Sequence, residues 1–126
     1  MITLATLPNA TAQEVFDQVA THLLTQNQRA VNTIYTENNP PCVYHSSKGL
    51  KCAAGCLIST EEIKSFSGLD LSAAWGSLIQ NNTVPDTHYR LISDLQRIHD
   101  IIAIDDWAKE LAALAKDQNL VCVRSW

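Results

Sequence analysis

The run Gly49-Leu50-Lys51-Cys52-Ala53-Ala54-Gly55-Cys56-Leu57-Ile58 constrains this chain more than any other stretch. It sets three residues with almost no side chain between two thiols that stand four apart. Ala53, Ala54 and Gly55 let another backbone approach closely, which marks the run as an interior packing point. In a helical turn Cys52 and Cys56 share one face. Just upstream, Cys42-Val43-Tyr44-His45 and Leu50-Lys51-Cys52 flank Ser46-Ser47-Lys48-Gly49, two β-prone arms around a turn-forming tip. A simple register places Cys42 across from Cys52. The expected order is a hairpin, a tight entry into a buried turn of helix, and then Ser59.

Around this centre the helices announce themselves by their starts and stripes. Residues 1 to 9 read as extended, ending at Pro8-Asn9. Thr11-Ala12-Gln13-Glu14 is a capping box. Val15, Phe16, Val19, Ala20, Leu23 and Leu24 follow at helical spacing, which predicts an amphipathic helix over 12–29. His22 falls on the margin of its apolar stripe. Val31 to Asn39 is a connection, and Pro40-Pro41 bars helix before the hairpin. Ser59-Thr60-Glu61-Glu62 is a second capping box, opening a short helix through Phe66 that Ser67-Gly68 ends. Asp70 or Ser72 can cap a third short helix carrying Trp75, Leu78 and Ile79. Pro85-Asp86-Thr87 starts a long helix over 87–102, buried along Leu91, Leu95, Ile98 and Ile102. His88 and His99 project onto that same stripe. Asp105-Asp106 caps a last helix over 106–117 with Trp107 and Leu111 inward. Leu120-Val121-Cys122-Val123 reads as a terminal strand that could join the hairpin arms.

Composition bounds the class. With 126 residues, 46% hydrophobic and 17% charged, the chain is expected to be one globular domain over 1–126 with a real core. The net charge of -4 and the absence of any basic run argue against nucleic acid as a partner. The apolar stretches are too short to span a membrane. Met1-Ile2-Thr3-Leu4-Ala5 lacks the basic and long apolar regions of a secretory signal, so a cytoplasmic address is expected. In that compartment four cysteines are free thiols or ligands rather than disulfides.

Three chemistries are open to these residues. Cys42, His45, Cys52 and Cys56 supply four soft or borderline donors within fifteen positions, a ligand set that could hold a structural zinc ion. Against it, small neighbours and thiols are the usual furniture of a packed interior. A thiol enzyme centred on Cys52 or Cys56 would need a nearby cation, imidazole or helix start to lower a pKa, with His45 or His99 as base. His88 and His99 are the candidate functional histidines for either role, and otherwise are core or boundary imidazoles satisfied by a backbone carbonyl or by Asp or Glu. The third chemistry is binding, with no cofactor. Trp75 and Trp107 belong to the core by position, and Trp126 is the candidate binding anchor. Phosphate loops, serine elbows and calcium loops are absent from the sequence.

The segment Cys42-Val43-Tyr44 with Gly49 to Ile58 resembles a group of small uncharacterised bacterial and phage proteins. The likeness extends to Val19-Ala20-Thr21-His22-Leu23-Leu24-Thr25-Gln26-Asn27 and to Leu95-Gln96-Arg97-Ile98-His99-Asp100 with Trp107 downstream. A looser likeness links Gly55 to the glycine of phage proteins with a Cys-Cys-Leu-Gly-Val-type run. The resemblance implies a bacterial or phage setting and a host-interaction, inhibitor or immunity-type role.

Together these readings predict an α+β domain, mainly helical, with a small antiparallel hairpin or three-stranded sheet. The expected function is that of a small acidic modulator, of phage or mobile-element type, that binds another protein without catalysis. A zinc-stabilised domain and a thiol-dependent enzyme are the alternatives.

Overall fold

A computed structural model describes residues 1–31, 42–66 and 71–122. Its elements are helical: α1 (Ala12–Gln26), α2 (Thr60–Phe66), α3 (Trp75–Gln80), α4 (Tyr89–Ile101) and α5 (Trp107–Asp117), with 3-10 turns at Leu7–Asn9, Ala54–Leu57 and Ile104–Asp106. The caps explain several boundaries. Thr11 and Glu14 form both halves of the capping box that starts α1. Asn27 caps that helix in a left-handed conformation (φ 52°), so it stops at Gln26, three residues short of the expected 29. Ser59 and Glu62 repeat the capping box at α2. Glu62 also accepts from the backbone N–H groups of Leu4 and Ala5, both at 3.0 Å. That contact folds the N-terminus into a turn over Thr3–Leu7, where an extended arm was expected.

The core forms where α1, α4 and α5 pack on one another, with the Ala54–Leu57 turn set against α1 and α4. Val15, Phe16, Val19 and Leu23 of α1 meet Ile92, Leu95 and Ile98 of α4 and Trp107 and Leu111 of α5, all buried. These are the stripes that the sequence spacing marked. Among the described residues no helix is long and apolar enough to cross a membrane.

The α+β expectation is overturned. Among the described residues there is no strand and no sheet, only two isolated bridges, Val31 with Cys42 and His45 with Lys51. The physical reason lies in the small-residue run. Ser46 N–H bonds to the Leu50 carbonyl at 2.8 Å and closes the expected turn, with Gly49 at φ 84°. Cys52 N–H then bonds to the Tyr44 carbonyl at 3.2 Å, so Cys52 stands opposite Tyr44 and not opposite Cys42. Beyond that point the chain cannot pair further, because Ala54–Leu57 curls under the first arm. A Cβ on Gly55 would lie 2.0 Å from the Tyr44 carbonyl oxygen. The first arm finds its other partners elsewhere: Val43 N–H on Ala30 at 2.9 Å and Tyr44 N–H on Leu71 at 3.0 Å.

The terminal strand is also absent over Leu120–Cys122. The side-chain amide of Gln13 takes the place of a neighbouring strand, accepting from Val121 N–H and donating to its carbonyl, each at 2.8 Å. The expectations placed on Ser67-Gly68, Asp70, Pro40-Pro41 and Trp126 lie outside the described residues.

Candidate binding cleft

Four cysteines and four histidines carried the chemical expectations, and the structure gives each a definite place. All four cysteines are free thiols. Burial pushes the thiols of Cys42 and Cys56 up to about 12 and raises that of Cys52 further. The carboxylate of Asp100 adds to the effect on Cys42 through its charge and a hydrogen bond. Cys52 Sγ accepts from Gly55 N–H at 3.3 Å, and Cys56 donates to the Ala53 carbonyl at 3.2 Å. Cys122 is raised by burial and by the charge of Asp17 on α1.

The histidines are engaged with backbone. His45 is buried, and its Nε2 proton lies between the carbonyls of Gly55 and Ile58, each at 2.9 Å. His22 Nε2 contacts the Lys51 carbonyl at 2.9 Å. Burial lowers the pKa of both rings. His88 is the N-cap of α4 in a left-handed conformation (φ 57°), and its ring holds the Ala10 carbonyl at 2.7 Å. His99 is fully buried. Its Nε2 accepts the backbone N–H of Ala30 at 3.0 Å. A backbone amide can only donate, so the proton sits on Nδ1, which donates to Asp100 Oδ1 at 2.7 Å.

The four donors of the zinc expectation are Cys42, His45, Cys52 and Cys56. Among the described residues, the three-donor group whose ligand atoms lie within 4.8 Å of one another is instead Cys42, His99 and Asp100. That group does not suit a metal ion. Binding through His99 Nδ1 would move the proton to Nε2 and point it at the Ala30 N–H, two donors face to face in a buried position. Metal-bound imidazoles normally donate their second N–H to an acceptor. The arrangement is a hydrogen-bond relay in which Asp100 joins Cys42, His99 and Gln96. Gln96 in turn accepts from Ala54 N–H at 2.9 Å and donates to Asp100 at 2.8 Å, locking α4 to the small-residue turn.

This relay forms one wall of a cleft of about 430 Å³. The segment Cys42–Tyr44 makes its floor with Cys52. Residues Ser72–Gly76 make one side, and α4 makes the other through Tyr89, Ser93, Gln96, Arg97, Asp100 and Ile101. Tyr44 and Trp75 meet with ring centres 5.9 Å apart and planes tilted by 57°. The Tyr44 hydroxyl donates to the Ala73 carbonyl at 2.5 Å and fixes the side to the floor. The Trp75 indole N–H is shielded from solvent and has no hydrogen-bond partner among the described residues. Tyr89 and Ile101 stand at the rim, 47% and 70% exposed.

Of the expected site residues, the cleft therefore gathers Cys42 and Cys52, and His99 stands behind Asp100. His45 and Cys56 do not line it: Cys56 belongs to the Ala54–Leu57 turn, His45 is bonded to the carbonyls of Gly55 and Ile58, and His88 holds the Ala10 carbonyl near the N-terminus. Arg97, Asp100, Gln96 and Tyr89 were not singled out from the sequence. Their signal was there as a polar stripe on α4 at spacings of three and four. No protein-family model, no curated protein and no solved structure matches this chain.

Proposed function

We propose that this chain is a small acidic protein of the cytoplasm that acts by binding another protein, without catalysis of its own. The observation that carries this reading is the state of its candidate nucleophiles and bases. A working thiolate needs a depressed pKa, whereas burial raises every thiol here. The imidazole nearest the cleft, His99, spends both ring nitrogens on Ala30 and Asp100. What remains available is recognition chemistry along one edge of α4: a tyrosine and an arginine, residue types enriched in binding hot spots, beside an exposed isoleucine. The net charge of -4 favours a partner with a basic surface around the contact. The bacterial or phage setting, and with it a modulator or immunity-type role, rests on the likeness of the Gly49–Ile58 segment.

Affinity purification from bacterial lysate tests this, using the wild type beside a rim variant, Tyr89→Ala with Ile101→Asp. Both positions are exposed, so the variant should fold. The expected result is a partner retained by the wild type and lost by the variant. Identical protein sets from both baits, or turnover of a small molecule by the pure protein, would contradict the proposal.

A further inference from the structure

We infer that His99 is a proton-operated latch behind the floor of the cleft: when its ring takes up a proton, the bond to Ala30 N–H breaks and the junction between Ala30 and Val43 is released. The free chain carries this latch whatever the cleft binds, so the inference does not rest on the protein-binding reading.

The chemistry of one ring leads to it. His99 is fully buried, and its two nitrogens have fixed and different roles. Nδ1 donates to Asp100 Oδ1 at 2.7 Å, and Nε2 accepts from Ala30 N–H at 3.0 Å. A neutral imidazole has one nitrogen that donates and one that accepts. A proton can enter only at the acceptor, and here the acceptor is already held by Ala30 N–H. Proton and amide therefore exclude each other. Once Nε2 carries a proton, two donors face each other, and a buried N–H without an acceptor costs about 1–3 kcal/mol. The other nitrogen favours the change. Nδ1 stays on Asp100, whose carboxylate then forms a charged pair with the imidazolium. Charge is admitted on one side of the ring and expels a backbone bond on the other.

The remaining neighbours set the balance. Arg29 donates to the His99 carbonyl at 2.9 Å and opposes a second cation. His22 on α1 is near enough for the charge of His99 to act on it, and it opposes that charge when protonated itself. Cys42, which joins His99 and Asp100 in one group, is kept a neutral thiol by burial. From α5 the uncharged Trp107 ring faces His99, with ring centres 5.7 Å apart.

The release has a defined path. Ala30 is itself fully buried, and its carbonyl accepts from Val43 N–H at 2.9 Å. Beside it, Val31 and Cys42 form an isolated bridge. Cys42 and Val43 line the cleft. Tyr44 is held separately, by the Leu71 carbonyl and by Cys52 N–H, so the release stops there. The latch is closed at high pH and opens as pH falls.

Amide hydrogen exchange of the full chain, followed by nuclear magnetic resonance from about pH 8 to pH 5, the range in which histidine changes charge, is the test. Rates are divided by the intrinsic rate at each pH. The expected result is a loss of protection at Ala30 and Val43 that exceeds the loss at Leu23 and Leu95 by at least ~10-fold, the change that one pH unit makes in a one-proton equilibrium. The His99 ring nitrogens should show Nδ1–H at the upper end and take up a proton with the same midpoint. His99→Gln offers an oxygen to Ala30 and an N–H to Asp100 but cannot take a proton, so it should abolish the excess loss. The wild-type ring signals decide the matter even if that variant is unstable. A loss at Ala30 no greater than at Leu23 and Leu95, a ring midpoint apart from that of Ala30, or the same excess in a folded His99→Gln would each overturn the proposal.

Discussion

Replacing Gly55 by alanine adds one methyl group where the Ala54–Leu57 turn lies against the backbone of Tyr44. The backbone there does not need glycine for its dihedral angles, since the left-handed glycine is Gly49. The requirement is steric. The new Cβ would stand 2.0 Å from the Tyr44 carbonyl oxygen, 2.8 Å from its carbon and 3.1 Å from its Cα. These are backbone atoms, so no side-chain rotation relieves the overlap. Overpacking of a tight interior costs about 1–3 kcal/mol. Moving Tyr44 aside also strains the bonds that hold it, Cys52 N–H on its carbonyl and its own N–H on Leu71. A buried group left unpaired costs a further ~1–3 kcal/mol. The sum is about 2–6 kcal/mol, a large share of the ~5–15 kcal/mol that holds an ordinary domain together. Urea unfolding followed by far-ultraviolet circular dichroism measures it. With a slope of about 2 kcal/mol/M, the midpoint should fall by roughly 1–3 M or the variant should be unfolded from the start. Gly49→Ala is the control, because nothing lies within 4 Å of its added Cβ and only the φ of 84° opposes it, at about 1–2 kcal/mol. A Gly55→Ala midpoint within about 0.5 M of wild type, on the same slope, would refute the steric reasoning.

Other expectations follow from single residues. Arg29 donates to the carbonyls of His99 and Ile102 at the C-terminus of α4 and lies 5.9 Å from the Trp107 ring; Arg29→Ala should lose about 2 kcal/mol in urea unfolding, and Arg29→Lys should recover only part of it. Burial raises the Glu62 carboxyl, but its bonds to the N–H groups of Ser59, Leu4 and Ala5 outweigh this and leave it lowered. Its contribution is therefore present above the unfolded carboxylate value near 4.5 and lost as pH falls below it, and Glu62→Gln should flatten the acid limb of a stability profile. His22 and His45 are lowered by burial, so the unfolded chain takes up protons that the fold resists, and the urea midpoint should decline as pH falls below about 6.5. The raised thiols of Cys42, Cys52 and Cys56 act oppositely: stability is full below the unfolded thiol value near 9.0 and should decline as pH rises past it. A midpoint that is flat from pH 5 to pH 10 would contradict both assignments.

The parts of the fold that could be read from the sequence are those decided locally. Thr11 and Glu14 stand one turn apart and settle the start of α1 between them, and the same holds for Ser59 and Glu62 at α2. The stripe of Leu91, Leu95 and Ile98 identifies the buried face of α4 without knowledge of what covers it. The hairpin failed because its outcome depends on residues far along the chain. Ala30 and Leu71 claim the N–H groups of Val43 and Tyr44, and Gly55 fits against the Tyr44 backbone before a second bridge can form. The terminal strand failed for a similar reason, since its partner is a glutamine side chain 108 residues earlier. His88 looked like a stripe residue, yet its ring is spent holding the Ala10 carbonyl while its backbone takes the N-cap. The small residues around Cys52 correctly signalled close backbone approach. The cleft stayed hidden because its floor, its side and α4 come from three separate stretches.

The most direct measurement of the binding account is site-specific photo-crosslinking in bacterial lysate. A photoreactive amino acid replaces Ile101 at the cleft rim, or, in a second protein, the exposed Lys116 on α5. The account predicts a discrete cross-linked protein from position 101 that position 116 does not give, and its loss when Arg97→Gln is added. The same cross-linked species from both positions, or none from position 101, would contradict it.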